Sequence, residues 1–136
     1  MPQKIALYEE LNASENLTFW GGLYGLAKRE LATRTSHALE LVGLTGRAKE
    51  PVSRYSGGMK RRLNLAIGLV HQPRVLLLDE PTVGIDPQGR NAILQIIREV
   101  AGQGTTVVFT THHLEEAEQL CDRIAIMDQG FPAAAG

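Results

Sequence analysis

The 136-residue sequence has little cysteine, almost no net charge and no long apolar run. Cys121 is its single cysteine, which excludes an internal disulfide and is typical of a protein from a reducing compartment. The longest aliphatic run, residues 75–78, is far shorter than the roughly 20 residues that span a bilayer, so any membrane role is expected to need a partner. A net charge of −1 argues against duplex DNA as the main partner.

The order of predicted elements indicates an α/β fold. In the second half, strands at 74–78, 105–110 and 123–127 alternate with helices at 87–101 and 114–121, which predicts a parallel sheet with crossover helices. The continuous apolar run at 74–78 predicts a strand that is buried on both faces. The first half reads as helical, beginning with a capping box at Asn12 and Glu15. We therefore predict two parts, residues 1–73 and 74–136.

The first predicted strand ends in two adjacent acids, Asp79 and Glu80. Ligands of open parallel sheets bind at the carboxyl ends of strands. Neighbouring strand residues point to opposite sides, so the two carboxylates cannot easily share one task. One can hold Mg²⁺ while the other orients an attacking water. A core strand that simply runs out into solvent explains the same pair.

The turn around Ser56 precedes a helix predicted at 58–71. Free N–H groups at a helix N-terminus attract anions, and Gly57 and Gly58 carry no side chains that would cover these groups. The Ser56 hydroxyl and the basic residues at 60–62 add a donor and positive charge. An ordinary serine cap after a flexible loop is the alternative explanation.

Two further segments follow strands of the second half. His112 lies just after the 105–110 strand, where it could contact a phosphate or position a water, although a histidine at a strand end often has no such role. Asp86 followed by Pro87 is a complete helix-start signal by itself. Only its place after the acid pair indicates a further role.

In this order and spacing, the segments resemble the nucleotide-binding subunit of ATP-binding-cassette (ABC) transporters. The signature motif is matched by residues 55–59, the Walker B strand by 76–81, the D-loop by 84–87, the H-loop by 111–112 and the Q-loop by 2–3. Residues 9–50 resemble the helical subdomain that follows the Q-loop. The resemblance covers residues 2–130 and implies a partial P-loop NTPase (RecA-like) sheet together with a helical ABC subdomain.

The resemblance also implies a role for each matched side chain, with ATP and Mg²⁺ as cofactors. Glu80 would be the catalytic glutamate and His112 the switch histidine, while Asp79 and Gln3 would lie at the metal. The residues implied to contact the nucleotide are Gln3, Ser56, Gly57, Gly58, Met59 and Asp86.

Met59 stands where many members of the family have glutamine, which resembles the drug and antibiotic export branch. This branch implies a separate six-helix permease of the ABC-2 type. It also implies a second nucleotide-binding subunit in a head-to-tail sandwich and a cytoplasmic location on the inner face of the membrane. No nucleic acid partner is expected.

The sequence contains no GxxxxGK[ST] motif, the Walker A loop that cradles phosphates in this family. We therefore interpret the chain as the carboxyl-side portion of a cassette, and we expect it to hydrolyse little ATP alone. It could still offer Ser56, Gly57 and Gly58 to an ATP held by another subunit. The missing P-loop strand is expected to leave sheet backbone unpaired, which favours aggregation.

Two other functions stay open. A non-catalytic cassette remnant could offer only the signature surface. The carboxyl-side lobe of a chromosome-maintenance or repair ATPase has similar motifs, but a long coiled coil precedes its signature. Residues 9–50 are interrupted by glycine and contain no sustained heptads, which disfavours that class.

Overall fold

The computed structural model describes residues 6–136, so Gln3 and the Q-loop prediction lie outside the described residues. The first half contains α1 (Ala13–Leu23), α2 (Lys28–Leu41), short 3₁₀ turns at Thr45–Arg47 and Val52–Arg54, and α3 (Gly57–Leu69). The second half contains β1 (Val75–Asp79), α4 (Pro87–Gly102), β2 (Thr106–Thr110), α5 (Leu114–Leu120), β3 (Ala125–Asp128) and β4 (Phe131–Ala135). The predicted α/β class is confirmed. Within residues 6–136, no helix has the length and apolar content needed to cross a membrane.

Three of the helices, α1, α3 and α4, begin at residues whose side chains cap them. Asn12 accepts a hydrogen bond from the Glu15 amide at 2.9 Å, and the Glu15 carboxylate accepts one from the Asn12 amide at 2.8 Å, which completes the predicted capping box. The Asp86 carboxylate caps α4 by accepting the Gly89 amide at 3.3 Å. Each such cap typically stabilises a helix by about 1 kcal/mol.

One hydrophobic core extends across the predicted boundary near residue 73. Leu17 of α1 and Leu63 of α3 are completely buried, and they belong to the same cluster as Leu76 of β1 and Ile93 of α4. The helical half is tightly packed: a Cβ at Gly21 would lie 2.5 Å from Leu31 Cδ1, so glycine lets α1 approach α2. The predicted division into residues 1–73 and 74–136 therefore stays a proposal, because the two parts share this core.

β1 and β2 pair in parallel, but the prediction that β1 is buried on both faces is wrong. Leu76 and Leu78 point into the core, whereas Val75 and Leu77 are 54% and 60% exposed. Val108, which pairs with Leu77, is 53% exposed on the same face. Within β1, only Leu76 and Leu78 belong to the core cluster that includes side chains of α3 and α4. The opposite face borders a cavity that Val75 and Leu77 line together with Trp20 of α1.

β3 also differs from the prediction, because it does not join the parallel sheet. It pairs antiparallel with β4, in a separate sheet. Gln129 and Gly130 form the turn between them with φ values of 48° and 83°. A turn with two positive φ angles matches the twist of a tight hairpin, so the strand that follows in sequence becomes the partner of β3.

His71, just after α3, is expected to make the protein less stable as the pH falls. Its ring stacks on Tyr24 with centroids 3.9 Å apart, and its Nδ1 is buried without a hydrogen-bond partner among the described residues. Burial, with a smaller contribution from Arg34, lowers the pKa of His71. As the pH falls below about 6.5, the unfolded chain therefore takes up a proton that the folded chain does not, and the free energy of unfolding decreases.

Replacing His71 with phenylalanine keeps the stacked ring and removes the titrating group. We expect His71→Phe to lose less stability between neutral and mildly acidic pH than the unmodified chain, measured by urea unfolding at each pH. His37 is exposed, so His37→Phe is the matched control and should leave the pH dependence unchanged. Equal pH dependence in all three proteins would show that His71 titrates normally.

Candidate functional site

The acid pair lies at the carboxyl end of β1, where Asp79 is the last strand residue and Glu80 directly follows it. Asp79 is exposed and pairs in register with Thr110 at the end of β2. The Thr110 hydroxyl donates to Asp79 Oδ1 at 2.6 Å, which fixes one carboxylate oxygen. Asp79 therefore offers a hard oxygen ligand where two strand ends meet.

Glu80 leaves the strand in a left-handed conformation with φ at 45°. This conformation costs a residue with a side chain about 1–2 kcal/mol, so other contacts must hold it. Its amide donates to the Thr110 carbonyl at 3.2 Å and to the Thr110 hydroxyl at 3.1 Å. Its carbonyl accepts a hydrogen bond from Arg61 Nη2 at 3.0 Å. The backbone of Glu80 is thus held from both sides.

The side chain of Glu80 contacts His112 from the loop after β2. His112 Nδ1 lies 3.1 Å from each carboxylate oxygen of Glu80. The Glu80 side chain is 22% exposed and that of His112 is 63% exposed, so water can reach both. The His113 ring lies beside the His112 ring, with centroids 4.1 Å apart. A carboxylate next to an imidazole in this setting can accept and transfer a proton.

Arg61 joins the start of α3 to the acid pair, and sequence reasoning assigned it only general positive charge. It is 5% exposed and donates from Nε to the Pro81 carbonyl at 3.1 Å, besides its bond to Glu80. Burial lowers the pKa of the Arg61 guanidinium, and the Asp79 carboxylate opposes this effect. Leu65 and Leu69 follow Arg61 at positions i+4 and i+8, on the buried side of α3. This spacing could have indicated from the sequence that Arg61 is buried.

The serine turn forms a second group with Asp86. Ser56 caps α3 by accepting the Met59 amide at 3.2 Å, as predicted for an N-cap. A Cβ at Gly58 would lie 3.9 Å from Ile85 Cγ2 and 4.0 Å from Asp86 Oδ1, so the start of α3 lies directly beside the start of α4. The amides of Gly57 and Gly58 therefore sit at the N-terminus of a helix, where an anion is favoured.

The predicted site residues thus fall into two groups on adjacent elements. The first consists of Asp79, Glu80 and His112, and the second of Ser56, Gly57, Gly58, Met59 and Asp86. Arg61 connects them, because it belongs to α3 and binds the backbone that follows β1. Gln3 lies outside the described residues, and the chemical roles assigned to all these residues stay predictions.

Glu116 of α5 is a buried acid that sequence reasoning missed. It is 4% exposed and accepts hydrogen bonds from two threonine hydroxyls. Thr82, two residues after Glu80, approaches both carboxylate oxygens at 2.8 and 3.0 Å, and Thr111, just before His112, approaches Oε2 at 3.0 Å. The short α5 gives only a weak helical pattern, so its buried side could not be read from the sequence.

The sequence is similar to a known protein family and to several named proteins. The family model described as "ABC transporter" matches residues 1–83. The linearmycin resistance ATP-binding protein LnrL of Bacillus subtilis (strain 168) is 54% identical over 136 residues, which cover 100% of this chain and 44% of the relative. The daunorubicin resistance ATP-binding protein DrrA3 of Streptomyces coeruleorubidus is 46% identical over 134 residues, covering 98% and 42%.

A third relative is also named as an ATP-binding protein of an export system. The Nod factor export ATP-binding protein I of Sinorhizobium fredii (strain NBRC 101917 / NGR234) is 42% identical over 136 residues, covering 100% of this chain and 40% of the relative. The chain therefore spans less than half the length of each of these relatives. The similarity extends over both predicted parts, so it includes the acid pair, the serine turn and the His112 loop.

Proposed function

The chain belongs to the ABC transporter family, and on that premise we propose that it forms the signature-bearing and Walker B-bearing part of an ATP-binding subunit in a drug or antibiotic exporter. The contact between Glu80 and His112 at the ends of two parallel strands carries this proposal. It brings together the two side chains to which the family resemblance assigns the catalytic chemistry. The names of the relatives support the export branch.

The Asp79 and Glu80 carboxylates fit a site for ATP with Mg²⁺. Within residues 6–136, no group of three or more metal-binding side chains forms a closed metal site. Mg²⁺ usually takes one or two carboxylates together with phosphate oxygens and water, and Asp79 offers such a carboxylate. When bound, the ion would neutralise phosphate charge. Glu80 contacts His112 and is partly exposed to water. Its carboxylate would orient the attacking water and accept its proton.

The serine turn would serve an ATP held by another subunit. The Ser56 hydroxyl and the amides of Gly57 and Gly58 form a ready anion site, and Asp86 borders it. The family's head-to-tail arrangement would place this surface against the triphosphate of a second nucleotide-binding subunit. Because the sequence contains no GxxxxGK[ST] motif, we infer that the chain alone hydrolyses little ATP.

The remaining assignments follow from the family and the branch. We propose that residues 1–73 form the helical, signature-bearing part, which couples to an ABC-2 type permease, and that residues 74–136 form the α/β part with the acid pair. Membrane association on the cytoplasmic side would come through that permease. The exported compound would be selected mostly by the permease.

A complementation assay tests the proposal. Full-length LnrL carrying arginine at the residue that aligns with Ser56 would hold ATP but lack a working signature surface. Adding the 136-residue chain should restore Mg²⁺-dependent ATP turnover in the mixture. Ser56→Arg in the chain should reduce that restored rate by about 100-fold, since donors to a developing charge contribute on that scale.

The matched control is Ser53→Arg, because Ser53 is exposed and lies three residues before Ser56. This variant should restore turnover as well as the unmodified chain does. No restoration by any variant would contradict the proposed signature role. Robust turnover by the chain alone, abolished by Glu80→Gln, would instead contradict the inference that a second subunit must hold the ATP.

A further inference from the structure

We propose that Glu116 is a positioning residue that sets the contact between Glu80 and His112. Its two threonine partners lie on the two segments that carry this pair. Thr82 follows Glu80 by two residues, and Thr111 directly precedes His112. The hydrogen bonds to Glu116 therefore close a ring of contacts that contains the Glu80–His112 contact.

Each hydrogen bond in this closed set of contacts joins defined atoms at a short distance. The Thr82 hydroxyl lies 2.8 Å from Oε1 and 3.0 Å from Oε2 of Glu116. The Thr111 hydroxyl donates to Oε2 at 3.0 Å and accepts the His113 amide at 3.0 Å, so it also fixes the backbone on the far side of His112. Both loops are thus anchored to a single carboxylate.

Burial explains why this carboxylate can hold the loops firmly. Glu116 is 4% exposed and Thr82 is completely buried, so water does not compete well for their hydrogen bonds. A buried carboxylate is costly unless it is paired, and Arg90 Nε of α4 lies 3.6 Å from Oε1. An apolar side chain would fill the same space at lower cost, but it could not anchor two threonine hydroxyls.

The catalytic meaning of the Glu80–His112 contact rests on the proposed function, but the contact can be tested without nucleotide. The probe is the NMR signal of the two ring nitrogens of His112, recorded on the ¹⁵N-labelled 136-residue chain at neutral pH. These resonances are assigned by their disappearance in His112→Gln. Glu80→Gln removes the carboxylate and defines the shift that loss of the contact causes. Urea unfolding of each variant separates local from global effects.

We expect Glu116→Gln to move the His112 ring resonances by at least half of the shift seen in Glu80→Gln. Thr111→Val and Thr82→Val, which each remove one hydroxyl, should move them in the same direction. Glu118 is exposed on the same helix, so Glu118→Gln is the matched control and should leave the resonances unchanged. Because no ATP is involved, the result is independent of the complementation assay.

Two results would overturn the proposal. In the first, Glu116→Gln lowers the free energy of unfolding while the His112 resonances stay at their original positions, which is the outcome for a purely structural residue. In the second, Glu80→Gln itself leaves the resonances unchanged, so that no contact exists to be positioned. If Glu116→Gln does not fold, the two threonine variants decide between the same outcomes.

Discussion

Replacing Arg61 with methionine is expected to lower the free energy of unfolding by about 3 kcal/mol. The guanidinium donates to the carbonyls of Glu80 and Pro81, and methionine fills a similar volume without donating. Each lost bond from a charged donor typically costs about 1.5–3 kcal/mol, which the relief of burying the cation partly offsets. Urea denaturation with an unchanged slope would measure the loss.

Arg62→Met is the matched control for this prediction. Arg62 is the next residue of α3, is only partly buried, and donates from Nη1 to the Val42 carbonyl at 2.9 Å. Its replacement should cost about 1.5 kcal/mol, the lower end for one bond from a charged donor, because Arg62 is partly exposed. Equal losses of unfolding free energy in the two variants would show that the bonds from Arg61 to the Glu80 and Pro81 carbonyls stabilise the protein no more than the Arg62 bond does.

Leu63→Ala is expected to destabilise the protein by about 3 kcal/mol, within the range for buried leucines. Leu63 is completely buried in α3, and its core cluster includes residues of both halves. Because that core is shared, we expect a single unfolding transition that moves to lower urea for the whole chain. Circular dichroism and tryptophan fluorescence, which reports on Trp20 in α1, should give the same midpoint.

Leu23→Ala provides the control, since Leu23 is 64% exposed at the end of α1. This change should alter stability by no more than about 0.5 kcal/mol. Two separate transitions in Leu63→Ala, one for residues 1–73 and one for 74–136, would support independent folding units. They would also show that the shared cluster contributes little coupling between the two parts.

Local sequence patterns predicted the starts of α1, α3 and α4, because their caps involve residues that are close in the chain. Asn12 bonds to Glu15, Ser56 to Met59 and Asp86 to Gly89, each across three positions. The order of strands and helices likewise predicted the parallel pairing of β1 with β2. The acid pair and His112 could be singled out because polar residues at strand ends stand out against apolar runs.

The prediction failed where distant segments decide the outcome. An apolar run shows that a strand can be buried, but only the tertiary structure shows that Val75 and Leu77 lie outside the core cluster and are exposed. The place of β3 depended on the hairpin at Gln129 and Gly130, which brings β4 to it.

The sequence by itself determined the order of elements from β1 to β3, the caps of α1, α3 and α4, and the family to which the chain belongs, because these depend on neighbouring residues and on motif spacing. Only the tertiary structure decided that Arg61 holds the backbone of Glu80 and that Glu116 joins Thr82 to Thr111. These contacts cross 19 and 34 positions of the chain. No local pattern encodes them, since a charged side chain becomes a buried anchor only when packing removes water and brings its partners within hydrogen-bond distance.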